Sequence, residues 1–183
     1  MICAFTQFAD FLRSSLRRSR GRGRRIAGWL LVIAAIGAAP VHADPMASAR
    51  NAYASGDYVR AVRTLTPPAL RGNAKAQAML GFMYENGFGA PQAYDAAADL
   101  YVQAAIAGNP FGQAMLGLMY DKGHGVPQDF VLAYKWMNLA AGRANRGQRD
   151  YYLRLRNAIA SKMSTSQIAQ GQRLALGWAP GRW

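Results

Sequence analysis

An all-α stack of about four helix pairs is the fold the sequence predicts, and three observations predict it. The chain repeats itself at a period of 36 residues: Ala74–Ala105 laid on Pro110–Ala141 gives 14 identities in 32 columns, several times what chance gives in a chain this rich in Ala and Gly. Apolar residues recur at helical spacing inside each repeat. Glycines and prolines stand at the same phase in both repeats, where helices would have to stop.

Residues 1–43 come first and read as an address rather than as fold. Seven arginines between Arg13 and Arg25 lead into a 14-residue apolar run, Ile26–Ala39, closed by Pro40 and a Val41-His42-Ala43 cleavage pattern. The run suits a signal peptide and is shorter than the roughly 20 residues that span a bilayer. Cleavage before Asp44 makes the protein periplasmic or secreted; an uncleaved segment leaves it anchored in the inner membrane through residues 26–39. Cleavage would remove 7 of the 22 Lys+Arg and 1 of the 9 Asp+Glu, so the +13 of the whole chain becomes +7. That charge favours solubility and gives no reason to expect nucleic acid as a partner. Cys3, the single cysteine, leaves with the segment, so the remaining 140 residues would be held by packing without disulfides.

Residues 44–73 predict a capping helix pair, Met46–Ala54 and Tyr58–Leu65, with Pro67-Pro68 ending the second helix. In the two repeats, 74–109 and 110–145, Met79, Leu80, Met83 and Tyr84 stripe one helix, as do Met115, Leu116, Met119 and Tyr120. Ala97, Leu100, Tyr101, Ala104 and Ala105 stripe the next, matched by Ala133, Trp136, Met137, Ala140 and Ala141. Gly87-Phe88-Gly89 and Gly123-His124-Gly125 separate the two helices of each pair, and Pro91 and Pro127 restart the chain. Gly81 and Gly117 sit inside predicted helices, where glycine costs about 1 kcal/mol relative to alanine; their recurrence at one phase predicts close approach of a partner helix.

The run Gln77-Ala78-Met79-Leu80-Gly81, then Met83-Tyr84, Gly87-x-Gly89, Ala97 and Ala104-Ala105, repeated from Gln113 to Ala141, resembles a Sel-1-like repeat, a relative of the tetratricopeptide repeat. The resemblance is strongest over Ala74–Ala141, departs at Ala90 and Pro110, and extends weakly to Gly56-Asp57-Tyr58 with Ala61. It implies a right-handed α–α superhelix and adaptor or assembly roles, without naming a partner. After the repeats, residues 146–183 predict two capping helices. Tyr152, Leu155, Ile159 and Met163 stripe the first; Ser164 and Gln167 have capping-box spacing ahead of a second that carries Ile168, Leu174, Ala175 and Trp178.

The residue inventory argues against an enzyme. Beyond residue 43 there is no cysteine and one histidine, His124, in a glycine-flanked loop, and the acidic residues are scattered. The glycines follow helices instead of preceding them, so there is no phosphate-binding loop. Met79, Met83, Met115, Met119 and Met137 fall at core phase and read as packing rather than as copper ligands. No catalytic residue, cofactor, metal or small-molecule substrate is expected.

What remains is surface. Tetratricopeptide-like phase places Lys75, Phe82, Glu85 and Asn86 of one repeat, and Phe111, Leu118, Asp121 and Lys122 of the next, along a concave groove that would take a protein or peptide. Phe82, Phe111 and Leu118 lie off the core stripe: they either receive an apolar side chain of the partner or contact the neighbouring repeat and the N-terminal cap. A second surface is the basic run Arg143, Arg146, Arg149, Arg154 and Arg156, either a solvated face or a contact for cell-wall polymer or anionic lipid.

Overall fold

The structure, a computed structural model, describes residues 44–181; the predicted signal segment and its apolar run at 26–39 lie outside the described residues. Every element among the described residues is a helix: α1 (Pro45–Ala54), α2 (Tyr58–Leu70), α3 (Ala74–Asn86), α4 (Tyr94–Ile106), α5 (Pro110–Lys122), α6 (Phe130–Arg143), α7 (Arg146–Ala160) and α8 (Thr165–Leu176). None is long and apolar enough to cross a membrane.

The 36-residue period is visible in the helix starts. Ala74, Pro110 and Arg146 open α3, α5 and α7, and Tyr58, Tyr94 and Phe130 open α2, α4 and α6. Asn73, Asn109 and Asn145 cap the first set, each side chain accepting hydrogen bonds from the first-turn N–H groups that a helix leaves without partners. The turn inside each pair is built twice from the same parts. Gly87 and Gly123 end α3 and α5 in the left-handed conformation. The N–H groups of Ala93 and Asp129 then donate back to the Tyr84 and Tyr120 carbonyls at 3.0 and 2.9 Å. Gln92 and Gln128 donate through Nε2 to the carbonyls of Glu85 and Asp121 at 2.8 and 2.7 Å, which satisfies acceptors at the helix ends.

Successive helices pack on one another from α1 to α7, and α3 also lies against α5. Gln77 and Gln113, both buried, tie each repeat to the one before: their Nε2 groups donate to the carbonyls of Ala69 and Ala105 at 3.2 and 3.1 Å. The α3 and α5 helices are buried almost all round from Ala76 to Met83 and from Gly112 to Gly117, as inner helices of a stack must be. Gly81 and Gly117 mark the expected close approach. A Cβ at Gly81 would stand 3.0 Å from the Tyr101 ring, and one at Gly117 would stand 3.1 Å from the Ala133 carbonyl oxygen.

Two elements depart from the sequence reading. The α2 helix runs through Pro67 and Pro68 to Leu70 instead of stopping before them. Burial of Pro68 and Ala69 holds this last turn, and its carbonyls are taken up by Arg71, Gly72, Asn73 and the Gln77 side chain. At the other end, α7 and α8 are the fourth pair by number, yet both pack on α6. Gly171 of α8 lets that helix approach closely, since a Cβ there would be 2.9 Å from the Tyr134 ring. The α8 capping box forms as Ser164 and Gln167 predict, whereas Leu174 is 40% exposed and Trp178 lies beyond the helix.

Candidate functional site

The packing of α3 against α5 brings together the two helices that carry the predicted groove positions; the equivalents one repeat apart are Lys75 and Phe111, Phe82 and Leu118, Glu85 and Asp121, Asn86 and Lys122. Their exposure differs sharply. Lys75, Asn86 and Lys122 are exposed, and Glu85, Phe111, Leu118 and Asp121 are half-buried. Phe82 is only 4% exposed. Its ring centroid lies 6.2 Å from Phe111, 6.4 Å from Tyr53 and 6.0 Å from Phe88, so it fills the space between the first repeat and the N-terminal pair. Phe82 is therefore not a docking surface; of the two expectations for it, contact with the neighbouring repeat and the N-terminal cap is the one realised. A Phe82→Ala change reports on packing before it reports on binding. Leu118 packs in the same way against the core cluster around Ala133, Met137 and Tyr152.

The carboxylates at the two equivalent positions Glu85 and Asp121 are engaged from within. Glu85 accepts a hydrogen bond from the hydroxyl of the fully buried Tyr101 at 2.8 Å, which links α3 to α4. Burial pushes the Glu85 carboxyl above its usual range, against the opposing pull of the Tyr101 hydrogen bond and of Lys122 and His124 nearby. Burial also drives the Tyr101 hydroxyl well above the ordinary tyrosine range, and the Glu85 charge adds to it. Asp121 accepts from Lys162 Nζ at 2.7 and 3.0 Å, an ion pair between the end of α5 and the turn before α8.

A carboxyl whose folded pKa is raised contributes stability below its unfolded value of 4.5 and loses that contribution as pH rises through the folded value. Glu85→Gln keeps an oxygen that accepts from Tyr101 and removes the desolvated charge. It is therefore expected to unfold at an equal or higher urea concentration than wild type at pH 7. It should also show a smaller fall in midpoint between pH 4.5 and pH 7; a fall as steep as wild type would assign the pH dependence elsewhere.

His124, in its glycine-flanked loop, is half-buried and packs against Tyr94 with ring centroids 4.6 Å apart and the planes tilted by 40°. The basic run divides in the structure. Arg143 lies over the Trp178 ring at 4.5 Å. Arg156 is half-buried, donating to Asn138 Oδ1 at 3.1 Å and to Asn157 Oδ1 at 3.0 Å. Arg154 lies 5.9 Å from the Tyr151 ring. Arg146 and Arg149 are exposed on the first turns of α7 and form no ion pair among the described residues. No group of His, Cys, Asp and Glu among the described residues is arranged to hold a metal ion.

Sequence reasoning missed Gln77, Gln92, Asn109 and Asn145 as structural ties. Their signal was present: the same residue types recur 36 positions apart, and each meets a backbone group at a helix end.

The family model of the Sel1 repeat matches residues 74–109 and 110–145. Among solved structures, the chain is similar to a protective antigen present in uropathogenic Escherichia coli strains that displays an SLR fold, with 26% identity and a TM-score of 0.64 over 72% of this chain and 29% of that one. It is also similar to a Sel1 repeat protein from Oxalobacter formigenes, with 25% identity and a TM-score of 0.57 over 70% of this chain and 54% of that one. The chain thus spans about a third of the first and about half of the second. No curated protein matches it. Two tandem units of the same length, joined by the same glutamines and turned by the same glycines, carry both the match and the packing: residues 74–145 are two Sel1 repeats.

Proposed function

We propose that this chain is a non-catalytic adaptor that holds another protein or peptide along the groove formed by α3 and α5. Sel1-repeat proteins are commonly protein–protein interaction scaffolds. The observation that carries the reading is the pairing of equivalent helices from two repeats, with Lys75, Asn86 and Lys122 exposed along them. The working segments are the N-terminal pair at 44–73, the repeats at 74–109 and 110–145, and the capping helices from residue 146. Export to the periplasm or beyond is part of the proposal. It is supported by the sequence of residues 1–43 and by the start of α1 at Pro45, capped by Asp44, one residue past the expected cleavage point. N-terminal sequencing of protein from the cell envelope is expected to begin at Asp44; an intact N-terminus would make the run at 26–39 an inner-membrane anchor.

Cross-linking in envelope extract tests the groove. Wild type is expected to capture a partner that Asn86→Ala with Lys122→Ala recovers at least about tenfold less, the loss of a few interface contacts. Equal recovery by that variant would refute the groove. A second reading is kept by one observation, the exposure of Arg146 and Arg149 without an acidic ion-pair partner: contact with peptidoglycan or anionic lipid. Co-sedimentation that survives Arg146→Gln with Arg149→Gln would remove it.

A further inference from the structure

We infer that the C-terminal tail, Trp178–Gly181, is a clasp that fixes the angle between the two repeats and thereby the setting of α3 against α5; its meaning for binding rests on the groove reading above. Each repeat contributes a first helix, α3 or α5, and a second, α4 or α6. The α5 helix seats against α3 and α4 of the preceding repeat, whereas α4 and α6 touch each other far less than either touches α5. The second repeat therefore meets the first mainly through one helix, about which it turns unless α6 is tied to α4 as well.

Two ties supply that restraint, at opposite ends of the second helices. Beside the start of α6, the Gly125 loop closes on the Tyr94 backbone at the start of α4. At the other end the tail does the work. The α8 helix lies on α6, with Gly171 against Tyr134, and delivers Trp178 to that helix. Trp178 meets the Trp136 ring edge-on at 5.9 Å and has the Arg143 guanidinium over its own ring at 4.5 Å, both partners on α6. The Gly181 N–H then donates to the carbonyl of Ile106, the last residue of α4, at 3.2 Å. Pro180 lies 3.6 Å from where a Gly108 Cβ would stand, just past the same helix.

The preceding joint shows what the tail adds. Leu70 and Gly72 hold the places of Ile106 and Gly108 one period earlier, and among the described residues nothing covers them: Leu70 is 84% exposed, and a Cβ at Gly72 meets nothing within 4 Å. Ile106 is half-buried. The holding contacts are a backbone hydrogen bond, a ring edge and a cation over a ring, with Trp178 half-buried and Pro180 exposed. A clasp of this kind opens without unfolding the helices that it joins. Whatever draws Trp178 off α6 loosens the joint, and whatever fixes α3 against α5 favours the closed tail, so tail and groove are linked in both directions.

Pulsed electron paramagnetic resonance on the full chain with Cys3→Ser tests the clasp. Nitroxides at Lys75→Cys and Lys122→Cys span the two repeats, and nitroxides at Asn51→Cys and Asn86→Cys span the preceding joint; all four positions are exposed. The first pair is expected to give one narrow distance distribution that broadens in Trp178→Ala and in a chain ending at Gly177. It should stay narrow in Trp178→Phe, which keeps a ring for Trp136 and Arg143. The second pair is expected not to respond to any of them, and Trp178→Ala decides if the shortened chain does not fold. A first-pair distribution unchanged by Trp178→Ala overturns the inference even where the urea midpoint falls, because the tail then adds stability alone. Broadening of both pairs in Trp178→Ala overturns it too, since the whole stack has then loosened. No ligand enters the measurement, so its result is separate from the groove reading, which holds or fails on recovery by Asn86→Ala with Lys122→Ala.

Discussion

Replacing Gly125 by alanine is expected to lower unfolding stability by roughly 2–5 kcal/mol, the sum of a left-handed backbone on an L-residue and an overpacked joint. Gly125 has φ of +65°, and a Cβ there would lie within van der Waals overlap of the Tyr94 carbonyl, 2.6 Å from its carbon and 3.0 Å from the Asp95 nitrogen. All of these are backbone atoms in the first turn of α4, so no rotamer change relieves the overlap. Either the loop must lift off the preceding repeat, taking the His124–Tyr94 contact with it, or the turn must rebuild. Gly89 occupies the same place one repeat earlier, against the Tyr58 carbonyl, with Phe88 stacked on Tyr58 at 4.8 Å and 20°. Gly89→Ala should therefore cost a similar amount. Gly56 and Gly72 supply the control: their φ values are +80° and +83°, but a Cβ at either meets nothing within 4 Å. Alanine there should cost only the backbone part, roughly 1–2 kcal/mol. Urea unfolding with an unchanged slope measures all four. A loss at Gly125 no larger than at Gly72 would mean that the joint between repeats is not built on this contact.

That joint shows where the sequence was legible and where it was not. Periodicity alone found the repeats, because Met79, Met83, Met115 and Met119 are core residues whose spacing mirrors the helix. The close approach at Gly81 and Gly117 was also readable, since a mid-helix glycine that recurs needs a packing reason. Burial at the predicted groove positions was harder. Phe82 shares its phase with Leu118, yet Phe82 is 4% exposed and Leu118 half-buried. The difference comes from the N-terminal pair, whose Tyr53 reaches Phe82 across a separation in sequence that no local pattern encodes. The path of α8 was illegible for a related reason. Serine stands at 161, where the period would put the glycine of the joint, and Lys162 lies over the Phe130 ring at 5.4 Å while pairing with Asp121. The third joint is thus closed by a cation instead of a glycine, and α8 returns to α6, where Gly171 meets Tyr134. A predictor of helices from local spacing sees the cap of α8 but not the surface it will cover.

Tyr101 is expected to carry the other large effect, and two substitutions separate its contributions. The side chain is fully buried, its ring edge 3.0 Å from where a Gly81 Cβ would stand, and its hydroxyl donates to Glu85. Tyr101→Ala should cost roughly 3–5 kcal/mol, the usual range for emptying a buried aromatic site. Collapse onto the gap is hindered because Gly81 offers no side chain to fill it. One repeat on, Met137 stands at the place of Tyr101, its methyl 3.5 Å from where a Gly117 Cβ would stand, so the site accepts a long apolar side chain as well as a ring. Tyr101→Phe keeps the ring and removes only the donor, leaving a half-buried carboxylate short of one hydrogen bond; about 1–3 kcal/mol is expected near neutral pH. The pH dependence distinguishes this loss from a packing defect. The Tyr101 hydrogen bond holds the Glu85 pKa down against burial, so removing it raises a value that is already above 4.5. A raised folded pKa contributes stability that is lost as pH climbs through it. The gap between Tyr101→Phe and wild type should accordingly be smallest below pH 4.5, where Glu85 is protonated in folded and unfolded chains alike, and widest above the folded pKa. Urea midpoints at pH 4 and pH 7 decide the matter: a gap that stays constant would show that the hydroxyl acts through packing and not through the Glu85 charge.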